Sequence, residues 1–144
     1  MRWLLCLTVV AAFLVPTHTF ATNDAGVSQI LTPVGNNCGT QVNAQVEITN
    51  YGTTPLTQVT INWGIDGAPT NMWFWTGSLN TGESDTVSFT PITAGIGAHT
   101  FDAYTTLPNG MTDVDMTNDT AQSSFASVAN VGLGMSGFNA GCCA

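Results

Sequence analysis

The stretch VNAQVEITNYGTTPLTQVTINWGID, residues 42–66, decides how the rest of the chain is read. Val42, Ala44, Val46 and Ile48 alternate with Asn43, Gln45, Glu47 and Thr49. A period of two gives an extended strand one apolar and one polar face. Asn50-Tyr51-Gly52 interrupts the pattern. Beyond Pro55 it resumes, with Val59, Ile61, Trp63 and Ile65 on one side and Gln58, Thr60, Asn62 and Gly64 on the other, and it ends in the turn pair Asp66-Gly67. Two such ribbons can hide their apolar faces only against a second sheet, so the flanking sequence is expected to complete a sandwich.

Toward the N-terminus, Thr22 to Leu31 alternates irregularly, as an edge strand does, and Gly35-Asn36-Asn37-Cys38-Gly39 reads as a loop from its turn residues. Residues 1–21 read as a secretory signal peptide: Arg2 supplies the positive start, Trp3 to Val15 the apolar run, and Thr19-Phe20-Ala21 a cleavage site after Ala21. That run is too short for a comfortable membrane span. No membrane insertion is expected after cleavage, and the product is expected to be secreted or held at the cell surface.

Toward the C-terminus, Met72-Trp73-Phe74-Trp75 marks a strand in which Trp73 and Trp75 can face inward only if Met72 and Phe74 face outward. Thr76 to Gly82 reads as a loop. Val87 and Phe89 mark a further strand, Gly95-Ile96-Gly97 a turn, and Phe101, Ala103 and Thr105 alternate with Thr100, Asp102 and Tyr104. Leu107-Pro108-Asn109-Gly110 turns again, Met111 to Asn118 is a polar connection, and Asp119 to Phe125 a closing strand. The fold class expected is all-β: an antiparallel, immunoglobulin-like β-sandwich of about seven strands over residues 22–125, followed by a Gly-rich, flexible tail over 126–144.

The chain has 144 residues, one Lys or Arg, nine Asp or Glu and a formal net charge of −8. Its length suits one domain. The single basic residue is Arg2, inside the leader, so no Lys or Arg is available to pair with a carboxylate in the exported part. Nucleic acid is excluded as a partner, because neutralising phosphates needs clustered Lys and Arg. Anionic lipid surfaces are disfavoured for the same reason.

Chemistry-bearing residues are few. His99 is the one histidine after the leader, and Asp102, three residues on, faces the other side of the same strand. There is no G-x-S-x-G elbow, no HExxH, and no phosphate loop with a Lys. No enzyme activity and no cofactor are expected. Asp113, Asp115, Asn118 and Asp119 concentrate the oxygens that calcium prefers, yet EF-hand spacing is absent, and Asx residues also simply form turns. The plainer reading is a solvated turn.

After the leader, Cys38, Cys142 and Cys143 remain. A disulfide from Cys38 to one of the terminal pair leaves a thiol for an intermolecular bond; the rival reading is a buried, unpaired Cys38. A zinc site with His99 is disfavoured, since adjacent cysteines do not both reach one metal. Tyr51, Trp73 and Phe74 are candidate ligand-contact aromatics, able to stack on sugar rings or anchor a protein partner, whereas Trp63 and Trp75 suit the core. Asn118-Asp119-Thr120 forms an N-glycosylation sequon, and Asp85-Thr86-Val87 and Asp119-Thr120-Ala121 resemble bacterial O-glycosylation signals.

The order Asp24-Ala25-Gly26-Val27, Cys38-Gly39, Val46-Glu47-Ile48-Thr49-Asn50-Tyr51-Gly52, Val59-Thr60-Ile61-Asn62-Trp63, Trp75-Thr76-Gly77-Ser78-Leu79, Gly97-Ala98-His99-Thr100, Pro108-Asn109-Gly110 and Asn118-Asp119-Thr120 resembles the CARDB-type immunoglobulin-like, cell-adhesion-related domain of bacterial secreted and surface proteins. The resemblance implies a non-enzymatic adhesion or spacer module whose partners are other surface proteins or glycans, and it brings no catalytic residues with it. Two alternatives stand beside it: a carbohydrate-binding module using the aromatics near 73–75, and a fragment of a larger multidomain exoprotein.

Overall fold

The computed structural model describes residues 21–67 and 69–129, and it is built of strands. These are β1 (Ala25–Thr32), β2 (Gly35–Cys38), β3 (Gln41–Val42), β4 (Gln45–Asn50), β5 (Leu56–Ile65), β6 (Asn71–Leu79), β7 (Ser84–Ser88), β8 (Ile92–Thr93), β9 (Gly97–Thr106) and β10 (Thr120–Val128), with a 3-10 turn at Pro108–Gly110. One sheet has the order β1-β4-β7, a second β2-β10-β9-β5-β6, and β3 pairs with β8 alone. Neighbours are antiparallel except β2 and β10, which run parallel. Among the described residues no helix is long and apolar enough to cross a membrane.

The alternation read in β4, β5 and β9 is realised as burial. Val46 and Ile48 from the first sheet share one apolar cluster with Val59, Ile61, Trp63, Phe101 and Ala103 from the second. Trp63 stacks on Phe89 at 4.6 Å and lies 6.0 Å from Phe101, so aromatic contacts fill the space between the sheets. Burying such side chains contributes roughly 1.5–3 kcal/mol each. In a chain without Lys or Arg pairs, that apolar burial and the backbone ladders carry the stability.

Asn50, read from sequence only as part of a break in the alternation, is a buried joint. It is fully buried. Its Nδ2 donates to Leu79 O at 2.8 Å and Thr54 O at 3.0 Å, and its Oδ1 accepts from Gly52 N–H at 3.0 Å. Its own N–H donates to Glu83 O, and its carbonyl accepts from Gly82 N–H. One side chain therefore ties the end of β4 to the ends of β5 and β6.

Several expectations are corrected. Residues 35–39 are not simply a loop, because Gly35–Cys38 forms β2. Its pairing with β10 is a backbone interaction that needs no apolar side chain, which is why the Gly- and Asn-rich sequence hid it. The 42–49 ribbon is broken after Val42. β6 continues through Thr76-Gly77-Ser78 to Leu79 instead of ending in a loop at Thr76, because a buried Leu79 still pairs with Leu56. The closing strand extends to Val128, into sequence assigned to the tail. Ten strands, two to ten residues long, form among the described residues against the expected seven or so. The signal peptide, except Ala21, and the tail beyond 129 lie outside the described residues.

Candidate functional site, an acidic seam at the entry to the first strand

The loop after β9 folds back onto the start of β1, and hydrogen bonds fix it there. Ala25 N–H donates to Asp113 Oδ2 at 3.1 Å, Val27 N–H to Asp119 O at 3.3 Å, and Asn118 Nδ2 to Asp24 Oδ1 at 2.9 Å. Val114 N–H reaches Asn23 O. Gly26 makes this approach possible: a Cβ there would lie 2.3 Å from Asn118 O. Inside the loop, Asp113 Oδ1 accepts from Asp115 N–H, and Asp115 Oδ1 from Thr117 N–H, each at 3.0 Å, so short Asx turns set the carboxylates' positions.

The result is a group of carboxylates without a basic neighbour. Asp24 and Asp119 are each 8% exposed. Burial pushes the Asp119 carboxyl up to about 6, and the charge of Asp113 adds to the effect. Burial likewise raises Asp24 above the ordinary carboxylate range; the bond from Asn118 opposes this, and Asp113 and Asp115 reinforce it. Asp115 is lowered by its hydrogen bonds from Thr117. Asn118 Oδ1 is a buried oxygen with no hydrogen-bond partner. Among the described residues no group of three or more His, Cys, Asp or Glu side chains is placed to hold a metal ion.

Asp113, Asn118 and Asp119 are drawn to the start of β1 beside Asp24, which sequence reasoning missed, while Asp115 stays exposed in the turn with Thr117. Asn118 and Asp24 are 94 residues apart in sequence, and only strand pairing brings them together.

His99 lies elsewhere. Its Nδ1 is 2.6 Å from Asp66 Oδ2 and its Nε2 is 2.8 Å from Gly95 O. The two bonds fix the ring between Asp66 and Gly95. The Asp66 bond and then the Gly95 bond raise His99, while the same His99 contact lowers Asp66. A ring engaged at both nitrogens is placed as a structural tie. Sequence reasoning excluded Asp102 correctly but did not find Asp66, which the β5–β9 pairing supplies from the neighbouring turn.

The candidate aromatics do not form one patch. Tyr51 is 44% exposed and sits beside the Leu79 end of β6, whereas Trp73 and Phe74, 40% and 58% exposed, lie toward its Asn71 end. At ~3.3 Å per residue the five steps from Phe74 to Leu79 span about 17 Å. Trp73 rests edge-on against Phe89 at 6.4 Å, on the inner side, and Phe74 points outward with Met72. Cys38 is disulfide-bonded, and Cys142 and Cys143 lie outside the described residues.

An all-β module with no assembled catalytic constellation among its described residues is the class this geometry defines. The CARDB family model matches residues 22–123, and the chain belongs to that family. Among solved structures, a CARDB domain from Pyrococcus furiosus, in complex with di-metal ions, is 20% identical with a TM-score of 0.61, covering 78% of this chain and 99% of that one. A domain of an inferred cell surface protein from Methanosarcina acetivorans is 19% identical with a TM-score of 0.57, covering 74% and 93%. At these identities the likeness is one of fold. No curated protein matches.

Proposed function

We propose that the chain is an exported, non-enzymatic module of the cell surface, an adhesion or spacer unit with an immunoglobulin-like arrangement of strands, released from its leader after Ala21. The observation that carries this reading is the state of His99, the one basic side chain of the described residues, whose nitrogens are both engaged by acceptors in a structural tie between two turns. A binding or spacing role asks only for a stable surface, which the apolar core provides. The name of the Methanosarcina acetivorans neighbour supports the surface location. Cys142 or Cys143 is the partner of Cys38 in this reading, and the other thiol is open to a second molecule. The test is adhesion: beads coated with the purified chain should bind saturably to cells of the producing organism. Binding no greater than that of uncoated beads would count against the adhesion role.

A second reading concerns the seam. Asp24, Asp113, Asp115 and Asp119, with the unpartnered Asn118 Oδ1, offer oxygen donors of the kind calcium prefers, and they would have to draw closer together to close a site around an ion. The ion would supply the positive charge that the sequence lacks and fasten the loop to β1. The Pyrococcus furiosus domain, described with di-metal ions, is consistent with this. Repeating the adhesion measurement in calcium and in chelator separates an ion that serves adhesion from one that serves stability alone.

A further inference from the structure

Three tripeptides in the chain have the form of signals for attaching a sugar: Asn118-Asp119-Thr120 for the Asn118 amide, and Asp85-Thr86-Val87 and Asp119-Thr120-Ala121 for a threonine hydroxyl. The fold closes two of them. Asn118 Nδ2, the atom that an N-linked sugar would take, is half-buried and donates to Asp24 Oδ1 at 2.9 Å. Asp119 is 8% exposed, and its carbonyl accepts from Val27 N–H at 3.3 Å and from Thr105 N–H at 3.2 Å. A signal that includes an aspartate can be read only where the aspartate can be reached, so the burial of Asp119 shuts off Thr120 although Thr120 itself is exposed.

Asp85-Thr86-Val87 is open. It forms the centre of β7, which is terminal in its sheet, so its outer edge has no strand of that sheet beside it. Val87 enters the core, which turns Thr86 outward between Ser84 and Ser88. Those two hydroxyls are engaged, Ser84 Oγ with Thr49 Oγ1 and Ser88 Oγ with Gln45 Nε2, each at 2.8 Å. Glu47, opposite Thr86, accepts instead from Ser28 Oγ at 2.8 Å. Among the described residues the Thr86 hydroxyl is therefore the one of the three on this face without a partner. Asp85 beside it is exposed and held in place, its Oδ1 accepting from Thr86 N–H and its Oδ2 from Trp75 Nε1–H, each at 2.8 Å. Each carboxylate oxygen keeps a further acceptor site for a visiting donor.

We propose that Thr86 is an O-glycosylation site, loaded by a sugar transferase that the chain meets on its way out of the cell; the inference rests on the export reading above. The donor is a sugar activated as a diphosphate ester. Thr86 Oγ1 attacks the anomeric carbon, the bond from that carbon to the phosphate oxygen breaks, the diphosphate departs with the electron pair, and the hydroxyl proton passes to a base of the transferase. Around Thr86 the outer face presents Ser28, Gln45, Glu47 and Thr49, so an attached sugar displaces no core contact. A bulky, solvated group in the middle of a terminal strand also keeps other chains from pairing with its edge.

The test is mass spectrometry of the chain purified from the producing organism, with the culture medium and the cells collected separately. Protein from the medium should exceed the mass of its sequence by whole sugar residues, and fragmentation of its peptides should place the addition on Thr86, with none on Asn118 or Thr120. Thr86→Ala should lose the added mass completely, Thr86→Ser should retain it, and Thr120→Ala should match the wild type. Thr86 is exposed and its hydroxyl unbonded, so circular dichroism and melting temperature of Thr86→Ala made in a host without the transferase should equal those of wild type made there. Protein in the medium with Thr86 unmodified, or with the added mass kept in Thr86→Ala, overturns the inference and leaves export standing. Protein found only inside the cells and unmodified overturns both.

Discussion

Asp119 shows how far one side chain can carry the account. Its folded carboxyl titrates near 6, above the ordinary 3.8, so between those values the folded state holds a proton that the unfolded state has released. Stability therefore falls as pH rises through this window. Asp119→Asn should raise stability at pH 7 in cation-free buffer by roughly 1–2 kcal/mol after allowance for solvent screening, and change little at pH 4.5. Denaturant titration at the two pH values measures it. Asn50→Ala acts in the opposite direction: stripping its buried amide from Leu79 O, Thr54 O and Gly52 N–H should cost about 2–4 kcal/mol. The sequence announced Asn50 only as a break in an alternating run, because nothing local says that an Asn is buried.

Among the elements, legibility followed the source of each strand's stabilisation. β4, β5 and β9 pack an apolar face, and their alternation marked them within a few residues. β2 is held by backbone pairing with β10, and β6 is prolonged by a single buried Leu79, so neither writes a period into the sequence. The seam was half legible. Its loop residues are close in sequence, while Asp24 arrives by the packing of β1 against the β9–β10 connection. Gly26 measures the tightness of that packing: Gly26→Ala, placing a Cβ 2.3 Å from Asn118 O, should cost about 2–3 kcal/mol and disturb the seam. Thermal unfolding with and without calcium reads both effects, since loop displacement should also remove any calcium response.

For the whole molecule, pH dependence collects these terms. His99, raised in the folded state by Asp66 and Gly95, contributes stability that is fully present below about 6.5 and is lost as pH rises through its folded value. Asp66 and Asp115, both lowered, contribute stability that is present above 3.8 and lost as pH falls through their folded values. Together with the seam, these signs place the stability maximum in mild acid, between about pH 4 and 6. His99→Gln should flatten the alkaline side of the profile and also weaken the acid side, because the bond to His99 is the main cause of the lowered Asp66; melting temperatures across the pH range will show both.

The second functional reading holds that the carboxylates at the start of β1 receive a cation. Thermal unfolding of the full chain at pH 7, in chelator and in excess calcium, tests it most directly. The account predicts a rise of at least about 5 °C with calcium in the wild type and a much smaller rise in Asp119→Asn. Equal melting temperatures with and without calcium, or the same rise in both proteins, would contradict it.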